Sequence, residues 1–542
     1  MDLFKVNYDE REKIWSGSKI VPLHNIEHHS PGRILFSQMK MRPSKVIQID
    51  DFDGKTLTNQ EMLNFSIRIA RHLKKMGMGH DDIVGMAAQN TTYLAPAVLG
   101  CFLNCTPFHA IHPNFKEAAA KHCFGITKPS IIFCDGTNYE VIKNATIHFK
   151  PAIYTLSDHI EGVPSVLDLL EPTEMELFFQ PEPLTLGADQ TVAILCSSGT
   201  TGLPKAVTLS ARTIVLETFL LNGESVYYSP SCLDWVSGLI SLVMNIYSSC
   251  TRIISRKTFT SEYFMELMEK YGITCAMLSP MHISALTLSP QCTTEKMSTL
   301  QCVTSGGAGI SAQTLTKFQS IVPKCMICFG YGCTEFGGIA SNIGLGRANS
   351  VGKVLFNVKL RIVDDDGKNL GPHKVGEVVV QAPFKWGGYY SNPMETQRVL
   401  DSKGWYYTGD LGYMDEEHFL YIVDRKKDIL KYRSLHFWPG EIENVVLELK
   451  EVVDCCVVGI FDERFGDLAG ALVVKRKDAA ITAQQIVNYV KERLVEPEKQ
   501  LHNGVYFIQE LPRNNNGKVL RPEAKEIFRN LMQTSSIDYV LL

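Results

Sequence analysis

The chain has 542 residues, 45% of them hydrophobic and 21% charged, with a formal net charge of −4 and a pI of about 6.4. This is the composition of a globular protein long enough for more than one core, and it excludes a disordered or fibrous chain. The absence of basic excess argues against a nucleic-acid partner, and 15 cysteines in such a length do not make a disulfide scaffold.

The first residues, Met1-Asp2-Leu3-Phe4-Lys5, lead directly into the charged run 8–13 and offer no apolar core for a secretory signal. Thr58 opens a helix, with Glu61 three residues on as in a capping box; Met62, Phe65, Ile69, Leu73 and Met76 follow at helical spacing until Gly77 stops the run. Residues 83–88 read as a buried strand and 94–105 as an apolar helix. The most apolar stretch, 236–246, is too short to span a bilayer. Cys325 and Cys328 have the spacing of a redox or zinc half-site, but no second pair accompanies them and their neighbours read as a buried strand, so core cysteines are expected. Cys455 and Cys456 read the same way.

Helical and strand-like stretches alternate to about residue 340, the grammar of layered α/β architecture. After Gly352 the pattern becomes that of hairpins and a small β-barrel: 359–363 alternates, Asp366-Gly367 turns the chain and 376–380 follows. A dense charge cluster, Asp424-Arg425-Lys426-Lys427-Asp428, precedes a small α+β unit with strands at 452–460 and 471–474 and a helix opened by Thr482 with Gln485. The expected organisation is a large α/β domain over 1–423, composed of subdomains and carrying a small β-barrel-like part. A hinge over 424–431 and a smaller α+β domain over 432–542 complete it. No internal repeat or low-complexity segment is present.

The segment carrying most chemistry is Ser197-Ser198-Gly199-Thr200-Thr201-Gly202-Leu203-Pro204-Lys205. Its glycines free backbone N–H groups to converge on an anion, its hydroxyls add donors, and Lys205 adds charge on a flexible stem. That is a polyphosphate cradle. It is not the P-loop of kinases, because two residues separate Gly202 from Lys205 and Ala206 follows instead of Ser or Thr.

Together with five later segments, this one resembles the adenylate-forming superfamily of acyl-CoA synthetases, 4-coumarate:CoA ligases, beetle luciferases and peptide-synthetase adenylation domains. Gly306-Gly307-Ala308 resembles the wall beside adenine and the acyl chain. Gly330-Tyr331-Gly332-Cys333-Thr334-Glu335 resembles the Tyr-Gly-x-Thr-Glu motif, and Trp405-Tyr406-Tyr407-Thr408-Gly409-Asp410 resembles Trp-x-x-Thr-Gly-Asp. The charge cluster matches the interdomain hinge, although alone it reads as a solvated linker. Pro512-Arg513-Asn514-Asn515-Asn516-Gly517-Lys518 resembles the terminal Pro-Arg-x-x-x-Gly-Lys signature.

The resemblance implies that Tyr331 stacks on adenine, Thr334 bonds the α-phosphate, Glu335 holds Mg²⁺ and Asp410 takes the ribose. Arg425 would reach ribose or phosphate, Lys427 would be the pivot, and Lys431 would join the nucleotide set. Lys518 would be the adenylation lysine, catalytic together with Lys205 and Thr334. Trp235, Ser237, Gly307, Ala308, Phe329 and Gly337 are the expected acyl-pocket walls. The implied reaction joins a carboxylic acid, a medium- or long-chain fatty acid, to the α-phosphate of ATP and then to coenzyme A. A paralogue lacking thioester activity, an aromatic-acid ligase and a luciferase-like oxygenase are the alternatives.

Three departures bear on these expectations. Ala206 replaces the usual Gly after the loop lysine, Ala211 stands where many relatives carry His, and Ser434 replaces a Gly that lets pantetheine pass. Glu217 stands at the position of an active-site arginine of beetle luciferases, and Asp234-Trp235 stands where those enzymes carry tandem histidines, which disfavours the oxygenase. The segment 233–238 resembles that of insect luciferase-like acyl-CoA synthetases. The tail 539–542 lacks a Ser-Lys-Leu-type address, so an intracellular protein, cytoplasmic or peroxisomal, is expected. The sequence leaves the oligomeric state open.

Overall fold

The computed structural model describes residues 5–20, 29–174, 176–197, 204–214, 221–344, 346–382, 384–433, 435–514 and 517–534. Two largely parallel sheets form the body of the larger domain. The first runs, edge to edge, Lys205–Ser210, Thr191–Ser197, Phe108–Ala110, Val84–Ala87, Ile131–Asp135 and Ala152–Ser157. All its pairings are parallel except that of Lys205–Ser210 with Thr191–Ser197.

The second sheet has nine strands. Met326–Cys333, Cys302–Gly306, Cys275–Met277, Val226–Tyr228, Thr251–Ile254 and Val46–Asp50 lie parallel in that order, and antiparallel strands close both ends. Most residues of its parallel strands are buried, as expected for a sheet covered on both faces, with Met326 and Gly332 of the strand at one side exposed.

Local signals in the sequence produce the covering helices. Asn59–Lys75 starts on the capping box of Thr58 and Glu61 and buries Met62, Leu63, Ile67, Ile69 and Leu73. Leu94–Leu103 is apolar all round and entirely buried. Val236–Ser248, the most apolar stretch, is a core helix, and no helix among the described residues is long and apolar enough to cross a membrane.

The β-rich part is a seven-stranded antiparallel sheet whose strand order does not close into a barrel. Lys359–Val363 pairs with Gly376–Gln381 as the hairpin pattern predicts. On its other side it takes the N-terminal hairpin Val6–Asp9/Ile14–Gly17, which joins from more than 300 residues away.

Beyond residue 430 a five-stranded sheet is built around the long hairpin Val452–Asp462/Gly466–Lys475 and packed by Pro439–Val446, Ala483–Arg493 and Arg521–Thr534. Its buried apolar residues, among them Phe437, Ile442, Val457, Val473, Ile486 and Phe528, form clusters of their own and share none with the larger domain. None of the cysteines forms a disulfide; Cys325, Cys328, Cys455 and Cys456 are buried free thiols, as expected of core residues.

Candidate active site

One cavity of about 3100 Å³ opens between the two parallel sheets, the antiparallel sheet and the small domain. Ser197, Lys205, Gly306, Gly307, Ala308, Gly330, Tyr331, Gly332, Thr334, Glu335, Asp410, Arg425, Lys427 and Lys518 all line it. So do the expected pocket residues Trp235, Ser237, Phe329 and Gly337. Ser198, Gly199, Thr200, Thr201 and Gly202 lie outside the described residues, as do Ser434 and Glu217.

Lys431 does not line the cavity. It is exposed on the strand Leu430–Tyr432, where the period-two alternation of a strand turns it away from the buried Tyr432. Its backbone N–H donates to Asp467 instead.

The phosphate-loop segment is strung between two antiparallel strands. Thr191–Ser197 enters it and Lys205–Ser210 leaves it, paired so that Lys205 faces Ser197 and Ala206 faces Cys196. Ala206 is therefore ordinary extended backbone, buried in the sheet, and its methyl costs no strain. Ala211 is buried at the start of the short helix Ala211–Ile214.

Lys205 reaches across to the helix Pro393–Val399. Its Nζ lies 2.6 Å from Glu395 Oε2 and 4.9 Å from the centre of the Tyr389 ring. Tyr389 donates its hydroxyl to Glu335 Oε1 at 2.9 Å. Glu335, the expected metal carboxylate, is thus fixed by a phenol that itself packs against the phosphate-loop lysine. Burial and the nearby Glu335 push the Tyr389 phenol up, so it stays a donor.

The wall holding Tyr331, Asp410 and Arg425 is tied across strands. Tyr331, at the end of Met326–Cys333, donates to Asp410 Oδ2 at 2.6 Å. Arg425 Nε lies 2.8 Å from Asp410 Oδ1. The two residues sit opposite each other because Tyr406–Met414 and Leu420–Arg425 pair antiparallel. Burial and Asp410 together push the Tyr331 phenol well up.

The charge cluster is anchored on both sides. Lys426 pairs with Glu377 at 3.0 Å on the antiparallel sheet, while Asp424 accepts from the Gly440 backbone at 3.0 Å, at the start of a helix of the small domain.

Lys518 enters the same cavity from the small domain. Its turn is closed by Asn514, whose Oδ1 accepts from the Lys518 N–H at 2.9 Å, and by the Arg513 guanidinium, which donates to the Gly517 carbonyl. Gly517 has φ of +77° and packs on Met281 of the larger domain so closely that an added Cβ would lie 2.9 Å from the Met281 methyl. Burial, with Arg425 beside it, brings the Lys518 ammonium down to about 8. Lys427 is likewise lowered, chiefly by burial, and the neighbouring positive charges of Arg425 and Lys205 add to the effect.

Sequence reasoning missed Tyr389, Glu377 and Glu395. Glu395 carries a local signal: Asn392 caps the helix, Pro393 opens it, and an acid in its first turn suits the dipole. Its contact with Lys205 is long-range and had no local trace.

A model of the AMP-binding enzyme family matches residues 35–390, and a model of the AMP-binding enzyme C-terminal domain matches 441–518. The chain belongs to the AMP-binding enzymes. Among its relatives in this adenylate-forming family, 4-coumarate–CoA ligase 3 of Oryza sativa subsp. japonica is 28% identical over 515 residues, covering 90% of each chain. Luciferin 4-monooxygenase of Photinus pyralis is 28% identical, covering 93% of this chain and 96% of its own.

ATP-bound MatB from Rhodopseudomonas palustris shares the fold, with a TM-score of 0.82 at 23% identity over 93% of this chain and all of its own. The luciferase-like enzyme from the nonluminescent Zophobas morio mealworm aligns with a TM-score of 0.69 at 25% identity, covering 76% of this chain and 98% of its own.

Proposed function

We propose that this AMP-binding enzyme is an AMP-forming acid–CoA ligase acting on a medium- or long-chain fatty acid. The observation that carries the ligase part of this reading is that Lys205 and Lys518, from opposite ends of the sequence, line one cavity together with Tyr331, Asp410 and Arg425, the last two beside Lys518. Uniting a carboxylate with the α-phosphate of ATP brings two anions together, and fixed positive charge lowers that barrier.

In this reading Asp410 accepts the ribose hydroxyls and Tyr331 packs on adenine. Lys205 exchanges Glu395 for a phosphate, and Lys518 bridges the attacking carboxylate oxygen and the α-phosphorus as pyrophosphate leaves. Glu335, a hard carboxylate held in place by Tyr389, fits Mg²⁺, which would neutralise phosphate charge. The small domain, from residue 432 on, then swings about 424–431, withdraws Lys518 and admits the thiol of coenzyme A. The thiol attacks the acyl carbonyl and AMP leaves.

Pyrophosphate exchange with a panel of aliphatic and aryl acids, followed by coenzyme A, tests this. Exchange with C8–C18 acids and subsequent thioester formation is expected. Lys518→Ala should lose about 10²- to 10³-fold in adenylate formation and retain thioester formation from supplied acyl-adenylate. Equal loss in both half-reactions would overturn the two-position scheme, and exchange with aryl acids alone would overturn the choice of acid.

A further inference from the structure

The cavity also holds a polar cluster to which the reaction above gives no role. One ring nitrogen of His112, the sulfur of Cys232 and a carboxylate oxygen of Asp234 lie within 4.8 Å of one another. All three residues line the cavity. Asp234 is only 7% exposed, and its Oδ1 has no hydrogen-bond partner among the described residues. The indole N–H of the adjacent Trp235, also on the cavity wall, is buried and equally without one. A buried carboxyl and a buried N–H left unpaired in an apolar wall cost free energy that a bound group can recover.

The residue types match a metal site, but the hydrogen bonding does not. His112 Nδ1 accepts from the Asn114 backbone N–H at 3.1 Å. Burial holds the ring neutral, its pKa pushed down to about 4, so its one proton sits on Nε2. One nitrogen has its lone pair engaged and the other carries hydrogen, which leaves none for a cation. The thiol is also kept protonated, pushed up to about 12 by burial and by Asp234.

The cavity wall here therefore offers an acceptor at Asp234, a neutral imidazole at His112 beside it and the unpaired indole N–H of the next residue, Trp235. An ammonium ion would satisfy the acceptor and leave the donors facing a cation. A hydroxyl both donates and accepts.

We propose that this cluster recognises a hydroxyl group on the acyl chain, so that the enzyme's substrate is a hydroxylated carboxylic acid. The inference rests on the ligase reading for the identity of the ligand as an acid. The hydroxyl donates to Asp234 and accepts an N–H from His112 or Trp235. Sites that hydrogen-bond a substrate hydroxyl discriminate strongly against the analogue lacking it, because their own buried groups are then left unpaired.

Calorimetric binding, which needs no turnover, and pyrophosphate exchange, which does, separate the two readings. Each is run with matched sets: an alkanoic acid, its ω-hydroxy and ω-amino counterparts, and a cinnamic acid with and without a ring hydroxyl. The hydroxylated member of the aliphatic or the aryl set should bind at least ~10-fold more tightly than its parent and show a correspondingly lower KM at similar kcat. The set that responds identifies the carbon skeleton.

Asp234→Leu should abolish the preference while the unsubstituted parent still binds, and Asp234→Asn, which preserves an acceptor, should retain part of it. Equal binding of parent and hydroxylated acids, or tighter binding of the ω-amino acid, overturns the proposal. So does stoichiometric zinc in the purified protein that Cys232→Ser removes. Binding discrimination without any exchange would sink the ligase reading and leave the hydroxyl subsite standing.

Discussion

Two stretches of the same cavity wall treat their polar groups in opposite ways. Around Asp410 every partner is found within the protein: a phenol on one carboxylate oxygen, a guanidinium on the other. Around Asp234 a carboxylate oxygen and the neighbouring indole N–H have none among the described residues. Both carboxylates are buried, so the contrast is one of preorganisation rather than of solvent. In the proposed reading the paired wall is a finished surface that meets a ligand of constant shape, whereas the unpaired wall is completed by the acid it binds. In an enzyme family with one nucleotide and many acids, that is the expected division between the shared and the variable halves of the site.

Substitution of the two carboxylates should give stability changes of opposite sign. Asp410→Ala has the larger expected effect. It strips both the Tyr331 hydroxyl and the partly exposed Arg425 of their acceptor, and KM for ATP should rise about 10- to 100-fold, as for loss of charge-assisted bonds, with a lower Tm. An unchanged KM in exchange kinetics would mean that the wall does not hold the ribose.

Asp234→Leu should instead raise Tm, by about 2 °C at pH 8. Burial pushes the Asp234 carboxyl up to about 7. The unfolded chain releases that proton near pH 4 and the folded chain holds it until about pH 7, so the native state binds more protons and its stability falls through this window. The variant lacks that slope. Its Tm advantage should therefore vanish near pH 4 and be full above pH 7; an advantage independent of pH would show that the carboxyl is not the cause.

The smallest effect belongs to Ala206→Gly, which restores the residue usual in relatives. Because Ala206 sits in extended strand backbone, glycine should cost about 0.5–1 kcal/mol and leave exchange kinetics unchanged. A gain in activity would contradict the strand geometry.

Much of this was legible in the sequence because it is local. Capping boxes at Thr58 and Thr482 mark helix starts where the structure has them, and the glycine- and threonine-rich motifs name residues that meet in one cavity. What stayed hidden is what depends on distant pairing. The N-terminal hairpin completes a sheet whose other strands begin at residue 359, and no periodicity records that. Glu395 and Tyr389 meet Lys205 and Glu335 only in the folded chain. Lys431 does not join the other hinge charges in the cavity for a geometric reason: successive side chains of a strand face opposite ways. The sequence also shows Asp234 and Trp235 as neighbours in a motif but not that their polar atoms lack partners, since satisfaction is a property of surroundings.

The bare α-carbon of Gly517 resting against the Met281 thioether sets a depth gauge on the small domain's approach. A van der Waals contact resists approach and not withdrawal. In a domain swing of the kind proposed, this contact would limit how far Lys518 travels in and would leave its way out unopposed.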